Sequence, residues 1–116
     1  MKKISASKAK ADKLFSQYIR KDGICERCGR TNEVVQLQCA HIFSRRFLVT
    51  RYDPLNCLCL CAGCHRWGHD NPVEFTEWVK EFLGEAMYDE LRFKAKNAVH
   101  KLDYEAIIAD LKERLA

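Results

Sequence analysis

Four of the seven cysteines form two pairs, Cys25 with Cys28 and Cys61 with Cys64, and two residues separate the members of each pair. A Cys-x2-Cys turn brings two thiolates to the separation that a tetrahedral metal ion requires, so two such turns complete a four-thiolate zinc site. The sequence therefore predicts a zinc knuckle, in which these four side chains hold a structural Zn²⁺.

The other cysteines, Cys39, Cys57 and Cys59, lack this spacing, and alternative sets of four ligands can be written with them. Cys57 and Cys59 are spaced as alternate residues of a strand, and we interpret all three as small buried apolar residues. The gap between the two pairs exceeds the roughly 15–20 residues of a zinc ribbon. The surplus residues must form additional structure, for which a hairpin with its loop is sufficient.

Composition limits the class of protein before any motif is considered. A chain of 116 residues with 47% hydrophobic and 31% charged residues is typical of one soluble globular domain. No apolar run reaches the roughly 18 residues of a membrane span, and no signal-peptide core follows the basic start. An odd number of cysteines favours metal over disulfides, so we expect a cytoplasmic protein with no membrane partner. The net charge of +4 permits a polyanionic partner without requiring one.

The hydrophobic pattern predicts a single domain, residues 1–116, in three parts. A basic amphipathic helix occupies residues 1–23, the metal-bearing core residues 24–71, and further helices residues 72–116. Residues 34–40 and 55–60 alternate as two strands of an antiparallel hairpin, joined by a basic loop and followed by a short helix. The expected class is α+β, mainly helical, with a central two-stranded hairpin plus helix. Asn71 before Pro72 predicts a helix start with Asn71 as its N-cap, and Gly84 predicts its end.

Three polar residues occur in a fixed order within this core. His41 ends the first predicted strand, Asn56 opens the second, and His65 follows the second cysteine pair. Each alone has an ordinary explanation, because lone histidines usually lie on the surface and an Asn before a strand usually belongs to a turn. Their order within the zinc frame favours a functional site. His100 lies outside the frame, and we expect it to be an ordinary surface residue.

The ordered set resembles the HNH endonuclease superfamily, whose ββα-metal site is a hairpin followed by a helix, and in particular its zinc-braced branch. A closer resemblance, over about residues 8–84, is to phage recombination nucleases of the NinG/Rap type. The segments that carry it are KADKLFSQYIR (10–20), QCAHI (38–42), SR (44–45), RYDPLN (51–56) and CAGCH (61–65).

The resemblance implies a metal-dependent endonuclease that hydrolyses DNA phosphodiester bonds, on branched or recombination DNA, in a phage or prophage setting. It assigns His41 as general base, His65 as ligand of a catalytic Mg²⁺ or Mn²⁺, and Asn56 as the residue that orients the loop. These roles agree with the chemistry of the residue types. Many HNH enzymes carry a metal-binding Asp or His just before the base, where this chain has Ala40. His69, one helical turn after His65, is a candidate replacement, and Asn71 a lesser one.

Basic residues near His41 suggest how a nucleic acid would be held. Arg45, Arg46 and Arg51 offer forked donors that match phosphate oxygens. Lysines near the N-terminus would add affinity for the DNA backbone without reading its sequence; they are Lys2, Lys3, Lys8, Lys10 and Lys13. Two alternatives stay open: a non-catalytic zinc-knuckle DNA-binding module, and a zinc-stabilised protein-interaction domain. A homodimer would supply two active sites for cutting both strands, although no segment identifies an interface.

Overall fold

The computed structural model describes the chain over residues 2–97 and 101–116, and its side chains from residue 6 onward. Over these residues the protein is mainly helical with one two-stranded antiparallel sheet, which confirms the coarse prediction. The elements are α1 (Lys2–Ile19), β1 (Leu37–His41), α2 (Leu48–Arg51), a 3-10 turn (Pro54–Asn56), β2 (Cys57–Cys61), α3 (Ala62–Asp70), α4 (Pro72–Leu83), α5 (Glu85–Ala95) and α6 (Tyr104–Leu115). None of the helices described has the length and apolar character that crossing a membrane requires. His100 lies outside the described residues.

The hairpin is the centre of the fold. Its strands pair in antiparallel register, with Leu37 opposite Cys61 at one end and His41 opposite Cys57 at the other. Every residue of β2 is buried, so this strand has protein on both of its faces. The second strand is therefore buried between two layers of helices.

Both strands begin later than the sequence predicts, because turns use the preceding residues. Val34 is 75% exposed and donates its backbone N–H to the Thr31 carbonyl in a turn before β1. Residues Pro54–Asn56 form the 3-10 turn before β2. Asp53 begins that turn by accepting a hydrogen bond from the Leu55 backbone N–H at 2.9 Å.

The segment between the strands was predicted to be a loop, and it contains the short helix α2 instead. Thr50 and Arg51, at its end, are buried although both are polar. The Arg51 guanidinium contacts the Asp12 carboxylate in α1 at 2.8 Å. A four-residue helix has too few internal hydrogen bonds to be stable alone, so distant contacts such as this one decide its formation.

Two hydrophobic clusters flank the hairpin. In one, Phe15 of α1 and Leu111 of α6 pack with Cys57, and α6 lies along α1. In the other, Val79 of α4 packs with Leu58, among further buried residues of both strands. The hairpin is thus fixed from both sides.

The junctions between helices agree only partly with prediction. Gly84 ends α4 with a φ of 88°, a left-handed conformation that glycine adopts without strain. Asn71 is the N-cap residue of α4, as predicted, but its side chain makes no capping hydrogen bond there. Its Nδ2 instead donates to the Trp67 carbonyl at 3.0 Å, which closes the end of α3. The predicted side-chain cap is therefore wrong, because α3 continues to Asp70 and its last carbonyls need donors.

Candidate active site and metal centre

The two cysteine pairs meet at the end of the hairpin where Leu37 faces Cys61. The sulfurs of Cys25, Cys28, Cys61 and Cys64 all lie within 4.8 Å of one another. Cys28 Sγ and Cys61 Sγ are 3.8 Å apart. A tetrahedral ion with Zn–S bonds of about 2.3 Å places its sulfurs roughly 3.8 Å apart, so the donor set fits Zn²⁺. The prediction of a four-cysteine cluster that could hold a metal is confirmed.

Short backbone turns aim these sulfurs at one point. The Cys28 backbone N–H donates to Cys25 Sγ at 3.5 Å, and the Cys64 N–H donates to Cys61 Sγ at 3.4 Å. Cys61 is also the N-cap of α3, where free amides favour negative charge. Burial opposes ionisation of Cys25, but neighbouring backbone amides outweigh it and lower the pKa of this thiol to about 6. These donors are those that a metal-bound thiolate needs.

The first turn is tied both to β2 and to α3. Glu26 donates its backbone N–H to the Cys59 carbonyl at 2.8 Å, and its carboxylate accepts from the Cys59 N–H at 2.9 Å. Arg27 lies 3.6 Å from the centre of the Trp67 ring and donates to Cys64 Sγ at 3.4 Å. The cluster thereby joins three separate parts of the chain.

His41 lies at the other end of the hairpin. Its Nε2 is 3.0 Å from the Arg51 carbonyl oxygen. A carbonyl can only accept, so Nε2 carries the proton and Nδ1 keeps the lone pair. Burial, followed by the nearby positive charge of Arg45 and Arg51, lowers the pKa of His41 below its usual 6.5. The imidazole is therefore neutral at pH 7, with one nitrogen able to take a proton.

Arg51 holds this arrangement and does not face solvent. Its Nε and Nη2 donate to the Asp12 carboxylate at 3.2 and 2.8 Å, and its Nη1 donates to the Arg45 carbonyl at 3.0 Å. Tyr52 also donates to Asp12, at 2.7 Å. Although burial opposes ionisation, these donors lower the pKa of Asp12. The prediction that Arg51 contacts DNA is therefore corrected: it is 7% exposed and fixes the carbonyl that holds His41.

Asn56 is fully buried and makes the contacts expected of an orienting residue. Its Oδ1 accepts from the Phe43 N–H at 2.9 Å, while Nδ2 donates to the carbonyls of Phe43 and Thr50 at 3.0 and 3.1 Å. The Ile42 N–H donates to the Asn56 carbonyl at 2.7 Å. One side chain thus ties the residues that follow His41 to the end of α2.

His65 and His69 lie together on α3. Their Nε2 atoms are 3.2 Å apart, and His65 Nδ1 is 2.8 Å from Gln38 Oε1 on β1. The amide oxygen accepts, so His65 Nε2 is the nitrogen left for an ion. Two cis ligands with bonds of about 2.1 Å lie roughly 3 Å apart around an octahedral ion. The helix is longer than expected, and it brings His69 Nε2 within 3.2 Å of His65 Nε2.

His41, His65 and His69 all line one open cleft of about 910 Å³. Arg45 and Arg20 add positive charge to its walls. Asp12 is the one carboxylate among the described lining residues, and the Arg51 ion pair engages it. Ala40 is buried beside the cleft and supplies no ligand.

The predicted cations divide between the cleft and the outer surface. Arg45 and Arg46 are both exposed, but of these two only Arg45 lines the cleft. The Arg46 guanidinium lies 4.8 Å from the centre of the Phe47 ring. Lys8, Lys10 and Lys13 are exposed on α1, whereas the side chains of Lys2 and Lys3 lie outside the described part.

Sequence reasoning missed three contributors to this region. Gln38 shares its strand face with Ala40, toward α3, so strand alternation could have suggested it. Asp12 acts across a long sequence separation, and no local pattern marks it. Cys39 and Cys57 lie with His41 in a group whose ligand atoms are all within 4.8 Å of one another. Cys57 is buried as expected, whereas Cys39 is only half-buried and lines the cleft.

Comparison of the chain with models of protein families, with curated proteins and with solved structures finds no match.

Proposed function

We propose that this protein is a metal-dependent endonuclease of the HNH type, which hydrolyses phosphodiester bonds in DNA. One observation carries the proposal: a neutral histidine with a free Nδ1 shares an open cationic cleft with a pair of histidine nitrogens 3.2 Å apart. The two-stranded hairpin, the helix that follows it and the four-cysteine cluster also support the proposal.

His41 is the general base. Its Nε2–H is held by the Arg51 carbonyl, so the ring is fixed in the tautomer that offers Nδ1 to a water molecule. Because its pKa lies below 6.5, the base is already deprotonated at neutral pH. Asn56 acts as a positioning residue, because it fixes the backbone that follows His41.

His65 and His69 would hold the divalent ion. Such an ion supplies charge that stabilises the negative transition state of phosphodiester hydrolysis. Of Mg²⁺ and Mn²⁺ we expect Mn²⁺ to bind the pair more tightly, because Mg²⁺ takes oxygen ligands almost exclusively. Zn²⁺ would occupy the four cysteines in a structural role, since a closed four-thiolate site leaves no position for substrate.

DNA is the substrate that the resemblance implies, and the arginines that line the cleft suit its phosphate backbone. Arg45 lies where it can contact a phosphate beside His41, and the lysines of α1 can add contacts to the backbone. By resemblance, the products carry 5′-phosphate and 3′-hydroxyl ends, and branched DNA is the substrate class to test first.

A second candidate is a DNA-binding module without catalysis. Two features favour it. Ala40 stands where many HNH enzymes carry a metal-binding Asp or His, and the described residues that line the cleft include no carboxylate outside an ion pair. It predicts affinity for DNA and no cleavage, whatever metal is supplied.

Nicking of supercoiled plasmid, and cleavage of branched DNA, in EDTA, Mg²⁺, Mn²⁺ or Ni²⁺ tests the proposal. We expect cleavage with Mn²⁺, none in EDTA, and a loss of about 10–100-fold in His69→Ala, as is usual when metal affinity falls. Thr76→Ala is the matched control, because Thr76 lines the same cleft without a metal-ligating group. Binding without cleavage in every metal would favour the second candidate.

A further inference from the structure

A second set of metal-ligating side chains lies on the hairpin, apart from the four-cysteine cluster. A ring nitrogen of His41 and the sulfurs of Cys39 and Cys57 all lie within 4.8 Å of one another. The register accounts for this proximity. Cys39 and His41 are alternate residues of β1, which share a face, and Cys57 is paired directly with His41.

We propose that Cys39, His41 and Cys57 bind a thiophilic cation, of which Zn²⁺ is the type. Two sulfurs and an imidazole suit Zn²⁺, whereas Mg²⁺ prefers oxygen. Around a tetrahedral zinc, neighbouring ligand atoms lie roughly 3.4–3.8 Å apart. The ligand atoms therefore need to approach one another by at most about 1.4 Å from the 4.8 Å limit, which small rotations of χ1 supply.

The position of this group in the cleft makes it an open site. Cys39 and His41 line the cleft, and Cys57 is buried behind them. An ion can therefore enter from solvent, and its fourth position faces the cleft. Three protein ligands with one open position is the arrangement of zinc sites that exchange a water or bind a substrate atom.

A metal ion bound at this site would prevent His41 from acting as a base. His41 Nε2 is engaged by the Arg51 carbonyl, so the nitrogen that binds the ion is Nδ1. The same lone pair cannot take a proton from water. This inhibitory consequence rests on the proposed function, whereas binding of the ion does not.

Titration of the purified chain with Co²⁺ under reducing conditions tests the binding. We expect a second thiolate-bound equivalent beyond the four-cysteine site, counted by its cobalt–thiolate charge-transfer absorption, which an ion held by His65 and His69 alone does not give. Cys39→Ala should weaken this step by more than about tenfold, since even loss of an outer-shell partner costs about 10–100-fold. Cys59→Ala is the matched control, because Cys59 pairs with Cys39 across the hairpin and lies outside both metal-ligating groups.

Two outcomes of the Co²⁺ titration would overturn the proposed site. Wild-type chain without a second equivalent, or Cys39→Ala with unchanged Co²⁺ binding, overturns the site. Retention of metal in the four-cysteine cluster reports folding, and Cys57→Ser replaces Cys39→Ala if that variant does not fold.

Plasmid nicking in Mn²⁺ with added Zn²⁺ tests the consequence. We expect inhibition of the wild type and of Cys59→Ala, and resistance of Cys39→Ala. Equal inhibition of all three overturns the inhibitory role. Binding of the second ion by a chain that never nicks would contradict the proposed function and leave the metal site standing.

Discussion

The two ends of one hairpin carry the two candidate sites, and they are built in opposite ways. Where Leu37 faces Cys61, the four sulfurs come from two local turns, and the first sulfur of each pair accepts from the backbone amide three residues later. Where His41 faces Cys57, a chain of contacts positions the imidazole: Asp12 binds Arg51, whose carbonyl holds His41. The first site is specified locally, and the second depends on the tertiary packing of α1 against the loop.

This difference has a consequence that experiments can measure. Substitutions of the cysteine ligands should abolish both metal binding and cooperative folding. Substitutions at the histidine end should abolish activity, whereas metal binding by the four cysteines and most of the fold should be retained. The predictions below test that separation, from the largest expected effect to the smallest.

Cys61→Ser should have the largest effect, because Cys61 belongs to the cluster that could hold a metal and is also the N-cap of α3. Structural zinc contributes about 10–16 kcal/mol in zinc-finger peptides. That is comparable to the whole free energy of unfolding of a small domain, about 5–15 kcal/mol. We expect loss of bound metal by elemental analysis and loss of cooperative unfolding by circular dichroism.

Cys59→Ala controls for loss of a buried sulfur at a neighbouring position, and it should keep its metal with a cost of about 1 kcal/mol. A Cys61→Ser chain that retained metal and unfolded cooperatively would contradict the structural role of the cluster.

Asp12→Asn should affect the histidine end of the hairpin and leave the four-cysteine end unchanged. The substitution removes the charge that pairs with the buried Arg51 guanidinium, at a cost of about 1–3 kcal/mol. The loosened carbonyl should misplace His41 and lower nicking by up to about 10²-fold. Metal content should not change. Asp22→Asn is the matched control, since its side chain is 83% exposed; equal nicking by both variants would refute the positioning role.

The pH dependence of nicking at saturating Mn²⁺ should report His41. Its pKa is lowered by burial and by nearby arginines, so the rate should be flat near pH 7 and fall only below pH 6.5. The lowered pKa also adds stability above about pH 6.5 that is lost as pH falls through the folded-state value. Arg45→Gln should move the acid midpoint upward, because it removes one positive charge. A midpoint above pH 6.5 in the wild type would exclude a buried base.

The smallest effect is expected from Arg45→Ala compared with Arg46→Ala. Loss of one phosphate contact typically reduces the slope of log affinity against log salt by about 1. Arg45 lines the cleft, whereas Arg46 does not. Fluorescence anisotropy over a salt series should show the larger reduction of this slope for Arg45→Ala. A larger reduction for Arg46→Ala would indicate that DNA binds outside the cleft.

Sequence reasoning succeeded where the determinants are local. The paired cysteines, the hairpin, the helix after Cys61 and the stop at Gly84 all follow from spacing, alternation or a left-handed glycine. It failed where distant residues decide the outcome. Nothing near Arg51 in sequence indicates that Asp12 buries its guanidinium. The late starts of the strands likewise depend on turn hydrogen bonds that propensity does not reveal.

The same limit applied within the candidate active site. Spacing suggested His69, although the helix after Cys61 was expected to be short. In the structure Asn71 closes α3 with its side chain, so the last turn forms and His69 reaches His65. Cys39 was assigned to the core by residue type, and only the shape of the cleft reveals that it is half-exposed beside His41.

The central claim is that His41 is a fixed base in a metal-dependent site, and His41→Gln tests it most directly. The glutamine amide can still donate a hydrogen bond near the Arg51 carbonyl, but it has no nitrogen that accepts a proton. With plasmid DNA and saturating Mn²⁺, we predict a loss of nicking of about 10²–10⁴-fold. Metal in the four-cysteine cluster and DNA affinity should equal those of the wild type. Nicking at the wild-type rate by this variant would contradict the account.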